Sequence, residues 1–428
     1  MKKIATLMML LLVFQLQAQL NITIDSKSTS ALPIAIAPLI DNGISLDTDI
    51  AAVISNDLAR SGQFKVLDRS LIVERPQVGD DIKFGNWRLL GVDYMSYGSI
   101  RSAGNGRIEI QFRLVNIADQ KQLLSLTLPL LSTEARAGAH YIADRIYEAI
   151  IGIPGVFSTK IAYVTAVGTG SQIEYQLIVS DADGFAPQAL VRSREPLLSP
   201  SWSPDARKLA YVSFENGNSS IFVQDLATGK REQMTSFKGI NGAPKFSPDG
   251  RKLAITLSKD GNPDIYILDM ASKQLNKITK SWAIDTEPEW SVDGKSLLFT
   301  SDRGRKPQIY EANLTNNRIT RVTFEGDYNA RASLSPDGKN MAMVHGNNNR
   351  YRISVLHRPS GTMQMLSGGN LDETPTFAPN GSMVLYATKN TNGKGLLKAV
   401  SIDGLTTNEL VLLDGNVREP SWSPILRR

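Results

Sequence analysis

Histidine is the most versatile catalytic and metal-binding side chain, and this chain has three: His140, His345 and His357. None is placed in an H-x-x-x-H pair, the spacing that lets two imidazoles share a metal on one helix face. Cysteine is absent from all 428 residues. That removes disulfides, thiolate nucleophiles, zinc–thiolate sites and a lipid-modified cysteine. No G-x-S-x-G elbow presents a nucleophilic serine, and no G-x-x-x-x-G-K-[ST] loop is present to cradle a phosphate. "SDADGF" (Ser180 to Phe185) resembles part of a calcium loop, but its twelfth position, counted from Asp181, is Arg192 where a glutamate is needed. A β-turn explains it better. His140 lies on a helical stretch and reads as a helix-surface or domain-interface residue. The expectation is a binding protein, not an enzyme, with no cofactor and no metal.

The elements that would position a binding surface are repeated. "PSWSP" begins at Pro200, "PKFSP" at Pro244, "PEWSV" at Pro288, "ASLSP" at Ala332, "PTFAP" at Pro375 and "PSWSP" again at Pro420, in steps of 44, 44, 44, 43 and 45 residues. The first five are followed by turn chemistry, as in "DGRKLAITL", and then by an apolar strand. In the turn, aspartate bonds its own backbone and glycine supplies positive φ. Such a unit of four short strands fits a β-propeller blade. An extra strand, "TKIAYVTAV" (Thr159 to Val167), lacks the motif, and the motif at Pro420 lacks a strand. The two halves complement each other. This predicts a six-bladed β-propeller closed by the C-terminal strand, leaving no open edge between first and last blades. The aromatic at the third motif position (Trp202, Phe246, Trp290, Phe377, Trp422) reads as inter-blade core, with Leu334 as the exception.

If the motif is the innermost strand, the residues before it ring one mouth of the central channel. They are Leu198 and Ser199; Asn241, Gly242 and Ala243; Thr286 and Glu287; Ala330 and Arg331; Glu373 and Thr374; Arg418 and Glu419. Equivalent backbone positions with different side chains suit an asymmetric partner.

Residues 19–155 do not share the repeat and predict a small α/β domain. "LPIAIAPL" (Leu32 to Leu39), "FKVLD", "DYMSYGSI", "IEIQFRLVN" and "QLLSLTLPL" read as strands. "DTDIAAVISNDLARSG" reads as a helix that Gly62 can end. "TEARAGAHYIADRIYEAIIG" reads as a second helix stopped by Gly152 and Pro154. "GIPGVFS" is the candidate linker to a propeller over 156–428. Residues 1–18 have the basic start, apolar centre and small residue, Ala18, of a cleaved signal peptide. Their apolar run is about half the ~20 residues that a membrane span needs. Losing Lys2 and Lys3 leaves 45 basic residues against 42 acidic, a net charge of +3. That charge argues for neither nucleic acid nor a membrane surface, and no later stretch is long and apolar enough for direct membrane insertion.

Together, "AHYIADRIYEAIIGIPGVFSTKIAYVT", "LSPSWSPDARKLAYVSFENG", "NGAPKFSPDGRKLAITLSKDG", "TEPEWS", "LDETPTFAPNG" and the terminal "PSWSP" give the whole chain a resemblance to the TolB family, periplasmic components of the Tol–Pal system of Gram-negative bacteria. The resemblance implies a monomeric periplasmic adaptor with an α/β domain on a six-bladed propeller. It implies binding of the Pal lipoprotein at the propeller and of the TolA C-terminal domain through the first mature residues: Gln19, Leu20, Asn21, Ile22, Thr23, Ile24, Asp25 and Ser26. It also implies a role in outer-membrane constriction at division and in envelope integrity. Other outer-membrane proteins and colicin peptides are further partners in such a system. The chain departs from the pattern at Ala206 (a turn glycine elsewhere), Val292 (a motif proline), "ASLSP", and Ile240, where some relatives carry histidine. Propellers host many functions, so a hydrolase-associated or ligand-binding propeller is the second reading. Turnover of peptides or glycans would favour it.

Overall fold

The computed structural model describes residues 24–26, 31–410, 412 and 415–426. The signal segment and Gln19 to Thr23 lie outside the described residues. The short strand β1 (Ile24–Ser26) precedes the N-terminal domain, which contains β2 (Leu32–Ile36), α1 (Ile50–Arg60), β3 (Phe64–Val66), α2 (Phe84–Leu89), β4 (Tyr94–Gly104), β5 (Arg107–Asn116), β6 (Gln122–Leu131) and α3 (Ala135–Ile151). Five of these strands form one sheet in the order β3-β2-β4-β5-β6. β2 is parallel to both neighbours and the remaining pairs are antiparallel.

The apolar faces of α1 and α3 cover one side of the sheet. Ile54, Leu58, Ile142 and Ile146 pack there with Ile34, Ile110 and Phe112. Trp87 of α2, a helix the periodicity does not reveal, packs on the other side with Met95 and Tyr97. Asp49 caps α1 by accepting from the Ala52 N–H at 3.1 Å. Gly152, at φ 86°, ends α3.

The repeat forms six four-stranded sheets, the sixth with β1 added along its outer strand. The strand Asn416–Trp422 pairs antiparallel with Lys160–Val167, so one blade is built from both ends of the repeat region. The expected closure of the ring by that strand needs correction. Each blade is a separate sheet, and among the described residues no strand of one blade forms a ladder with a strand of the next, an isolated bridge between Tyr351 and Leu371 apart. The C-terminal strand completes a blade, and the sheets are not closed by hydrogen bonds. The reason is geometric: blades stack face to face, so their inner edges point into the channel and cannot reach one another.

Side chains hold neighbouring blades together. Trp202 Nε1 donates to Ser421 O at 3.0 Å, and Trp290 Nε1 to Lys245 O at 3.1 Å. The motif serine has a defined role: Ser247 Oγ donates to Asp249 Oδ1 at 2.6 Å and accepts from the Lys252 N–H at 2.9 Å. Ser203, Ser291 and Ser335 repeat this. Among the described residues, no helix is long and apolar enough to cross a membrane.

Candidate functional site: the channel mouth and the domain seam

The last residue of every pre-motif segment has left-handed backbone: Ser199 (φ 52°), Ala243 (47°), Glu287 (56°), Arg331 (56°), Thr374 (53°) and Glu419 (54°). None is glycine, so each position carries a conformational cost of about 1–2 kcal/mol. In each inner strand the pairing register shifts here, as between Thr286 and Glu289. The bulge turns the side chain out of the blade. All six residues, with the motif residues that follow, line one cavity of about 120 Å³. One residue from each of the six segments thus converges on a single narrow neck near the start of the inner strands.

Charge is concentrated on one side of this neck. Arg331 Nε lies 2.8 Å from Glu287 Oε1, and its Nη1 lies 3.0 Å from Glu419 Oε1. The same Nη1 donates to Thr374 Oγ1 at 2.9 Å. Thr300, which the sequence does not single out, donates to Glu287 Oε2 at 2.9 Å. Burial opposes the Arg331 charge, but Glu419 and Glu287 outweigh it and hold the guanidinium pKa above its ordinary value. Leu198, Glu373, Arg418 and Glu419 line an adjoining cleft of about 350 Å³. Gly242 and Thr286 are half-buried beside the neck. Asn241 and Ala330 are fully buried. Asn241 bonds its own loop at Phe237 and Gly239, so its side chain shapes the mouth from behind.

A second constellation joins the domains. The Asp57 carboxylate on α1 bridges Arg60 Nε at 3.1 Å and His140 Nδ1 at 2.6 Å. From the propeller, the turn after Glu174–Asp181 brings Asp181 and Asp183 to within 4.0 and 3.9 Å of His140 Nε2. "SDADGF" is a turn, as expected, and His140 is an interface residue, only 3 % exposed. The link between them is not visible in the sequence, because 41 residues separate Asp181 from His140. Asp57, His140 and Asp183 each offer a ligand atom within 4.8 Å of the others. Of the three, Asp183 is already engaged: Arg136 binds its oxygen nearest His140. Burial opposes ionisation of Asp183, but Arg60, His140 and Arg136 lower its pKa.

Residues 147–426 match the family model described as the TolB beta propeller domain, and residues 20–123 match the TolB amino-terminal domain. The chain is 52 % identical over 425 residues to the Tol-Pal system protein TolB of Xanthomonas campestris pv. campestris strain B100, covering 98 % of this chain and 97 % of that one. It is 54 % identical over 412 residues to the protein of the same name from Xanthomonas euvesicatoria pv. vesicatoria, covering 95 % and 94 %. The crystal structure of TolB from Acinetobacter baumannii superimposes with a TM-score of 0.88 at 40 % identity, covering 95 % of this chain and all of that one. Both domains, their order and nearly the full length agree, and the chain belongs to the periplasmic TolB family.

Proposed function

We propose that this protein is a non-enzymatic adaptor that binds Pal at the channel mouth and TolA through its mature N-terminus, in support of outer-membrane invagination and integrity. The observation that carries the Pal reading is the ring of six left-handed residues. Their backbones are equivalent while their side chains are serine, alanine, glutamate, arginine, threonine and glutamate. Strained positions with unlike side chains around one opening are features of a recognition surface. Glu287, Arg331, Glu373 and Arg418 are the proposed main contributors. Pal affinity of Glu287→Ala and Glu373→Ala, with folding checked by circular dichroism, tests this. Both should weaken binding, and unchanged affinity in both removes the assignment.

The TolA reading rests on the terminal segment. β1 pairs antiparallel along Thr406–Asn408, with Ile24 opposite Asn408. A terminal segment that pairs as a strand can add to a partner's sheet edge instead. TolA would then compete with this docking. Deleting residues 19–26 should abolish TolA binding while Pal binding persists. TolA binding at parental strength by the deleted protein removes the assignment.

A further inference from the structure

The seam between α1, α3 and the propeller contains a buried histidine whose second nitrogen has no partner. His140 Nδ1 faces the Asp57 carboxylate at 2.6 Å. A carboxylate can only accept, so Nδ1 carries a proton in either state of the ring. Nε2 has no hydrogen-bond partner among the described residues. It faces Asp181 and Asp183, which come from the propeller. A proton on Nε2 would therefore place a positive imidazolium between a carboxylate of one domain and two of the other.

We propose that His140 is a proton-operated latch between the two domains, closed when Nε2 is protonated and loosened when it is not. The charges facing it come from every packed element. α1 supplies Asp57 and Arg60, α3 supplies Arg136 and Asp144, and the propeller supplies Asp181, Asp183 and Lys160. Arg60 Nη1 also donates to the Ala182 backbone carbonyl at 3.1 Å, in the turn that carries Asp183. Protonation strengthens this seam, since deprotonation leaves the three aspartates facing a neutral ring.

The direction in pH follows. Burial pushes His140 down, but Asp57 and Asp183 outweigh it and, against Arg60, hold its pKa above the ordinary histidine value. The contribution to the seam is then complete below about pH 6.5 and is lost as pH rises through the native value. A cleft of about 440 Å³ lined by His140, Asp144, Lys160 and Asp181 adjoins the ring. The same end of α1 supports the terminal strand: Asn408, opposite Ile24 of β1, donates to the Arg60 carbonyl. Loosening α1 loosens the strand along which β1 lies.

The test uses the full chain. The His140 ring should titrate above about 6.5 by NMR, which is tractable with three histidines. Amide exchange at Ala182–Phe185 and in the last turn of α1, corrected for intrinsic rates, should then accelerate as pH rises. The change is up to about tenfold per unit by which the native pKa exceeds the unfolded one. His140→Gln should remove this pH dependence, and His345→Gln, inside a blade, should leave it. A His140 ring titrating at or below about 6.5 overturns the proposal, a result that needs no variant to fold. So does seam exchange independent of pH in the parent, or pH dependence that survives in His140→Gln. Equimolar zinc that abolishes the titration and protects the seam at every pH would instead identify a metal site, and overturns the latch.

Discussion

Arg331 bridges two carboxylates, Glu287 and Glu419, at the channel neck. Methionine at this position keeps the length and removes the charge. Arg331→Met should cost about 1–3 kcal/mol at pH 7, discounted from a fully buried pair because the side chain is 34 % exposed. Urea unfolding of the variant and its parent measures it, and unchanged stability would show that the charge is not what matters. The glutamates and the arginine are legible as candidates because they vary at a repeated position. Thr300 is not, since a threonine in the middle of an apolar strand has no sequence signature of its role.

At the scale of the element, the blade turn makes a comparison within one molecule. Gly250, Gly294, Gly338 and Gly381 occupy it at φ between 68° and 76°, and Ala206 holds the equivalent place at φ 56°. A Cβ at Gly294 would meet nothing closer than Pro248 at 3.8 Å, so the cost of alanine there is conformational. Ala206→Gly should stabilise the protein by about 0.5–1 kcal/mol, and Gly294→Ala should destabilise it by a similar amount. Opposite shifts in melting temperature are the expected readout, and shifts of one sign would refute the shared origin. The same turns predict acid sensitivity. The Ser247 hydroxyl and the Arg251 amide lower the Asp249 pKa, and Asp205, Asp293 and Asp337 are lowered first by their own motif serines. Depressed carboxylates contribute stability that is full above about pH 4 and is lost as pH falls through their native values. Ser247→Ala should therefore cost more at pH 6 than at pH 2.5 in denaturant titrations.

For the whole molecule, the seam decides whether the domains melt together. Gly62, at φ 72°, lies so close to the propeller that a Cβ would clash with the Thr406 side chain, whereas Gly152, at φ 86°, has open space. Gly62→Ala should split calorimetric unfolding into two transitions or lower it markedly. Gly152→Ala, carrying backbone strain alone, should lower it by only about 1 kcal/mol without splitting. Equal behaviour of the two variants would show that the packed seam does not couple the domains.

The blade period was legible because four units share one local solution: a serine and an aspartate to tie the turn, a residue at positive φ, and an apolar strand. The helices α1 and α3 were legible from their apolar faces and glycine ends. These are local requirements, and local requirements leave a pattern in sequence. What only the tertiary structure decided is non-local. The neck depends on six bulges converging, and the left-handed conformation falls on residues whose types do not announce it. The seam gathers Asp57, Arg60, Arg136, His140, Asp181 and Asp183 from two domains, and ion pairs between distant segments have no period to read. The ring itself shows the difference: the sequence determined that the C-terminal strand would join Lys160–Val167, but not that the blades, with inner edges facing the channel, would be held to each other by side chains and single backbone bonds instead of strand ladders.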